Sequence, residues 1–108
     1  FRTYNCCGGI VQLSKTGTCP GVMRLDVAYC TPGGGVAILQ GIAGSFIKSG
    51  NPCAGLVLGI ANPSLVAILT ANGGGNATLS FNAPAGACGR TVQAVDIASC
   101  TASNTIVL

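Results

Sequence analysis

Histidine and tryptophan are absent from this chain of 108 residues, aromatic residues make up 5% of it, and charge is scarce, with five Lys or Arg against two Asp or Glu. Each shortage excludes a class of chemistry. Without histidine the chain lacks the usual general base and the commonest transition-metal ligand, so Ser-His and Cys-His catalysis are ruled out. Five scattered cations and a net charge of +3 lay down no basic stripe, which argues against a nucleic-acid partner. The two acids, Asp26 and Asp96, sit in separate strand-like runs. There an isolated carboxylate faces solvent or satisfies a loop amide more readily than it forms a glycosidase pair. Ordinary globular chains carry about 25% charged residues; this one carries 6%. Its surface is therefore built from Gly, Ser, Thr, Asn, Ala and exposed apolar groups, and it repels its own copies weakly. The chain is read as a non-enzyme with no cofactor and no metal.

What the chain does have is apolar residues at 49%, 17 glycines and seven cysteines. The hydrophobicity excludes disorder, and the length suits one compact domain. Phe1 rather than Met opens the sequence, as expected of a secreted form whose leader has been removed. The best membrane candidate, Ala54 to Ala71, only just reaches spanning length and is broken by Asn62-Pro63-Ser64. No membrane span is expected.

Turn signals recur at the spacing of an all-β protein. The apolar runs are Val22 to Cys30, Val36 to Ala43, Ala54 to Ile60, Leu65 to Thr70, Ala77 to Phe81, Arg90 to Ala98 and Asn104 to Leu108. Between them lie Thr31 to Gly35, Gly50 to Pro52, Asn62 to Ser64, Asn72 to Asn76 and Ala83 to Gly86, rich in the Gly, Pro and Asn that turns require. The glycine triplets lack both GxGxxG spacing and a following GK[ST], so they are turns and not phosphate cradles. About seven short antiparallel strands predict a single immunoglobulin-like β-sandwich over residues 22–108, preceded by an extended N-terminal segment, residues 1–21. Its expected core is Leu25, Val27, Val36, Ile38, Leu56, Leu58, Leu65, Ile68, Leu79, Phe81, Val92, Val95, Ile97, Ile106 and Val107.

The cysteine gaps of 1, 12, 11, 23, 35 and 12 contain no CxxC pair and point to disulfides formed in an oxidising compartment rather than to zinc. Six cysteines permit 15 pairings. If successive strands alternate direction, Cys30 and Cys88 fall at one end of the sandwich and Cys53 and Cys100 at the other, so the expected bridges are Cys30 with Cys88 and Cys53 with Cys100. That leaves Cys6, Cys7 and Cys19. If Cys19 pairs with one of the adjacent two, the other is free to bridge to a neighbouring subunit.

From about Val36 to Leu108, the runs GVAILQGIAG and CAGLVLGI, then NGGGNATLSFNAP leading through GACGRTVQAVDIASCTASNTIVL, resemble a small β-sandwich domain of secreted and surface proteins in myxobacteria and planctomycetes. The resemblance implies a secreted or cell-surface β-sandwich and implies no catalytic residue. Hydrophobins, also small, secreted, apolar and self-assembling, carry eight cysteines with two adjacent pairs. This chain has seven and only Cys6-Cys7, so it does not match them.

The reading that follows is a structural subunit of an extracellular filament or surface fibre, a homopolymer. The alternative is a secreted carbohydrate-binding or adhesive module, for which Trp is missing and Tyr is scarce. The short strand-like piece Gly9 to Ser14 has too few apolar residues for a core of its own, and Ile10, Val11, Gln12 and Leu13 are its expected contacts with a neighbouring subunit's sheet. The tripeptide Asn76-Ala77-Thr78 fits the N-glycosylation pattern. Glycan decoration there, or on serines and threonines, would help solubilise so uncharged a surface.

Overall fold

The computed structural model describes residues 11–49 and 53–108. The fold is all-β. Strands β1 (Gln12–Gly17), β2 (Gly21–Ala28) and β5 (Ala77–Ala83) form one sheet in the order β1-β2-β5. The second sheet, in the order β4-β3-β6-β7, contains β3 (Gly35–Ile47), β4 (Val57–Thr70), β6 (Thr91–Asp96) and β7 (Thr101–Val107). All pairings are antiparallel. A single 3-10 turn, Ala85–Ala87, joins β5 to β6.

Alternation places one face of each sheet against the other. Leu13, Leu25, Val27 and Ala77 from the three-stranded sheet pack on Val36, Ile38, Val92 and Ala94 from the four-stranded one, with Leu79, Phe81 and Ile106 partly buried around them. The sandwich expected from the turn spacing is therefore present, and most of its expected core is inside. Leu65, Ile68 and Val107 are corrections, since all three are more than half exposed.

The sandwich also begins earlier than expected. β1 pairs with β2 from Gln12↔Ala28 to Gly17↔Met23, and Val11 and Leu13 are buried in the core. Residues 12–21 thus belong to the domain instead of preceding it. Their apolar content was too low to suggest a core, yet a strand at a sheet edge needs only one buried side, and Val11 and Leu13 supply it.

A second correction concerns Asn62-Pro63-Ser64, expected as a loop between two strands. The chain runs through it as one strand, β4, bent where Asn62 adopts a φ of +50°. Pro63 is tolerated because β4 lies at the sheet edge, where a missing N–H costs no ladder bond on the outer side. Opposite the bend, β3 carries register shifts after Ile38, after Gln40 and after Ala43. A straight strand from Gly35 to Ile47 would carry its end roughly 40 Å away. Instead, Cys53 at the hairpin tip is bonded to Cys100, and Gly59 N–H donates to Gln93 Oε1 at 2.9 Å. The long β3–β4 hairpin has doubled over. Its distal half covers the outer face of its own sheet, where Leu58 and Ile60 bury Ala37 and Val95 in a second apolar cluster.

Candidate functional site

The disulfides fix where the cysteine predictions stand. Cys53 is bonded to Cys100, as expected. Cys88 is bonded to Cys19, not to Cys30. The register explains this: Gly21 pairs with Ala83, so the β1–β2 turn that holds Cys19 lies beside the end of β5 and the 3-10 turn that leads to Cys88. Cys30 sits at the opposite end of β2, where its N–H donates to Gly75 O at 2.9 Å. It is a free thiol and 6% exposed, and burial, with the nearby Asp96 carboxylate second, pushes its pKa up to about 11. A buried thiol held neutral is neither a nucleophile nor a bridge to another subunit. Cys6 and Cys7 lie outside the described residues, and the expectation that Cys19 pairs with one of them is overturned.

The two acids are apart in role as in place. Asp96 is 1% exposed, and its Oδ2 accepts hydrogen bonds from Thr31 N–H at 2.9 Å, Thr31 Oγ1 at 2.8 Å and Ser99 Oγ at 2.7 Å, tying the β2–β3 loop to the β6–β7 turn. Asp26 is on the outer face of the three-stranded sheet, bonded to Arg24 Nε at 3.0 Å and Thr78 Oγ1 at 2.9 Å. They share no partner and form no acid–base pair. Among the described residues no group of three His, Cys, Asp or Glu is placed to hold a metal ion.

Of the expected subunit contacts, Ile10 lies outside the described residues. Val11 and Leu13 face their own core and Gln12 pairs with Ala28, so none of these three is available to a neighbour's sheet. What the structure offers instead is a free edge. A sandwich of two open sheets has two seams. At the first, between β1 and β7, Asn104 Oδ1 accepts from Leu13 N–H and its Nδ2 donates to Leu13 O, while Lys15 Nζ reaches Val107 O. That seam is sewn shut. At the second, between β4 and β5, no strand-to-strand hydrogen bond joins the sheets among the described residues; the chain crosses there only through the 71–76 loop.

This open seam combines two features. β4 presents Leu65 at 58%, Val66 at 44% and Ile68 at 61% exposure. No charged residue occurs in β4, and none in β3. Natural monomers protect such edges with Lys, Glu or inward charges, because unpaired N–H and C=O groups beside apolar side chains recruit another strand. Behind the edge a mostly apolar groove of about 200 Å³ opens between the sheets, lined by Leu25, Ile38, Val66, Phe81, Val92 and Leu108, with Gln40 its one polar side chain. Core side chains of both sheets are thus reachable from the seam. The arrangement can hold an extended apolar segment by backbone pairing and side-chain burial.

The sequence reading missed this site because Leu65 and Ile68 were assigned to the core by their β-branched and aliphatic character. Pro63 was the available signal, since a proline inside a strand pattern demotes that strand to an edge. No described helix is long and apolar enough to cross a membrane, and the candidate span over Ala54 to Ala71 is largely β4. Comparison of the chain with protein-family models, with curated proteins and with solved structures gave no match.

Proposed function

We propose that this protein is a structural subunit of an extracellular filament or surface fibre, and that copies join when a strand from one is received at the β4 edge of the next. The observation that carries the reading is the uncharged, apolar β4 edge beside the inter-sheet groove. Two disulfides agree with a secreted, cell-surface setting. The same reading takes the strand order, three against four with β2 and β5 facing β3 and β6, as immunoglobulin-like. Residues 1–10 are the segment to be given, because from Val11 onward the chain is committed to its own sheet. At about 3.3 Å per residue, ten extended residues reach roughly 33 Å, enough to cross a subunit boundary. A contact between two different surfaces does not close on itself, so it propagates as an open filament.

Electron microscopy of the oxidised full-length chain, with and without residues 1–10, tests this. Filaments from the full-length chain and monomers from the truncated one are expected. A full-length chain that stays monomeric at high concentration overturns the polymer, and a truncated chain that still polymerises overturns the choice of donor.

A further inference from the structure

The outer face of the three-stranded sheet holds a second concavity, larger than the groove and opposite in character. Its volume is about 660 Å³, within the range of roughly 300 to 1,000 Å³ typical of small-ligand sites. Registration builds it. Ser14, Asp26 and Thr78 lie in one row across β1, β2 and β5, and the next row toward the loop pairs Gln12 with Ala28. Ala28 has no bulk to fill its place, so the sheet surface dips there. Asn72 and Asn76 of the β4–β5 loop wall the hollow, with Asn72 Oδ1 accepting from Gly74 N–H at 2.8 Å and Asn76 N–H at 3.1 Å to hold that loop in shape.

The polar groups of this hollow select a ligand chemistry. Arg24 Nε and Thr78 Oγ1 both donate to Asp26 Oδ1, which fixes the carboxylate and leaves Oδ2 as an acceptor and the two terminal guanidinium nitrogens of Arg24 as donors. The amides of Gln12 and Asn76 and the hydroxyl of Ser14 face the same space. The guanidinium and carboxylate cancel, so neither an anion nor a cation gains net attraction. Among the described residues no aromatic side chain lines the hollow, so the stacking mode that serves planar ligands is not offered by them. A fixed carboxylate oxygen beside a guanidinium matches two adjacent hydroxyls: one donates to Asp26 Oδ2 and its neighbour accepts from Arg24.

We infer that this hollow is a binding site for a short neutral oligosaccharide. The inference stands apart from the fibre reading, since it uses the opposite face of the sandwich from the β4 edge, and it would let a polymer of this chain hold a glycan surface at every repeat.

The test is a titration of the ¹⁵N-labelled, oxidised full-length chain with cellotriose, chitotriose and mannotriose, and with trigalacturonate as an anionic probe. For at least one neutral trisaccharide, saturable shifts are expected at Gln12, Ser14, Asp26 and Asn76. Asp26→Asn should weaken that binding about tenfold, the difference a charged acceptor makes over a neutral one. Ser80→Ala, on the same face but outside the hollow, should leave it unchanged. Correct folding of each variant is read from the same spectra. The inference is overturned if no neutral probe saturates by about 20 mM, beyond the millimolar binding that a few hydrogen bonds supply. It is equally overturned if only trigalacturonate binds, if Asp26→Asn binds as the parent does, or if residues 1–10 of the chain itself give the contacts in the hollow and exclude every probe.

Discussion

Asn104 and Leu13, 91 residues apart, bond to each other twice: Leu13 N–H donates to Asn104 Oδ1 at 2.8 Å, and Asn104 Nδ2 donates to Leu13 O at 3.0 Å. One side-chain amide thus takes the place of a strand partner and joins the two sheets at their β1–β7 seam. Asn104→Leu keeps the side-chain size and removes both bonds, leaving a partly buried N–H and C=O unpaired. A loss of about 1 to 3 kcal/mol is expected, measured from urea unfolding. A loss below about 0.5 kcal/mol would show that the seam is held by packing alone.

The two disulfides should differ in what they hold. Their sequence separations of 69 and 47 residues give similar stabilisation, about 4 kcal/mol each in the chain-entropy view. Only the second clasps the doubled-over hairpin. Replacing Cys53 and Cys100 by Ser should therefore open protease cleavage between Gly44 and Ala61 while the sandwich stays folded, whereas replacing Cys19 and Cys88 should not. Equal cleavage in both variants would mean that Leu58 and Ile60 hold the hairpin down without the bond.

Cys30 links stability to alkaline pH. Its folded pKa of about 11 lies above the ordinary thiol value of 9.0, so the unfolded chain ionises first. The stabilisation is complete below pH 9 and is lost as pH rises from there through about 11. Cys30→Ala should flatten that decline, and the native thiol should resist alkylation at pH 8 until the chain is unfolded. Rapid native alkylation would place the thiol at the surface.

Two glycines make a matched pair. A Cβ on Gly41 would run into the carbonyl oxygen of Ala61, at the bend of the hairpin, whereas one on Gly73 would meet nothing within 4 Å. Gly41→Ala should cost about 1 to 3 kcal/mol, and Gly73→Ala should stay within about 0.5 kcal/mol of the parent. Comparable thermal midpoints for the two would mean that the bend opens freely.

The β4 edge can be closed by charge. Ile68 is 61% exposed, so Ile68→Lys should leave unfolding within about 0.5 kcal/mol of the parent while abolishing filaments, read by light scattering and microscopy. Filaments of normal length from this variant would remove β4 from the contact.

The sequence made legible those features that depend on short-range pattern. Turn residues at Thr31 to Gly35 and Asn72 to Asn76 bracket strands where the structure has them, and alternation placed Leu25, Val27, Val36, Ile38 and Val92 in the core. It failed where long-range placement decides. Leu65 and Ile68 have the same character as buried residues, and only the position of β4 at the end of its sheet exposes them. Cys19 and Cys30 are equally plausible partners for Cys88 until the β2–β5 register is known. The candidate groove is harder still, because its lining residues come from five strands, the β5–β6 connection and Leu108.

The doubled-over β3–β4 hairpin also bears on the thickness of the proposed fibre. Amyloid-like ribbons thicken by laying one sheet flat on another, about 10 Å apart. Here part of the outer face of the four-stranded sheet is already covered by the returning half of its own hairpin, whose Ile42, Ile47 and Val57 stay exposed. The opposite outer face of the sandwich carries Arg24, Asp26 and a row of hydroxyls, which do not laminate dry. With one broad face polar and one seam sewn by Asn104, the proposed fibre can laminate only through its hairpin side, so two threads pair and no third adds.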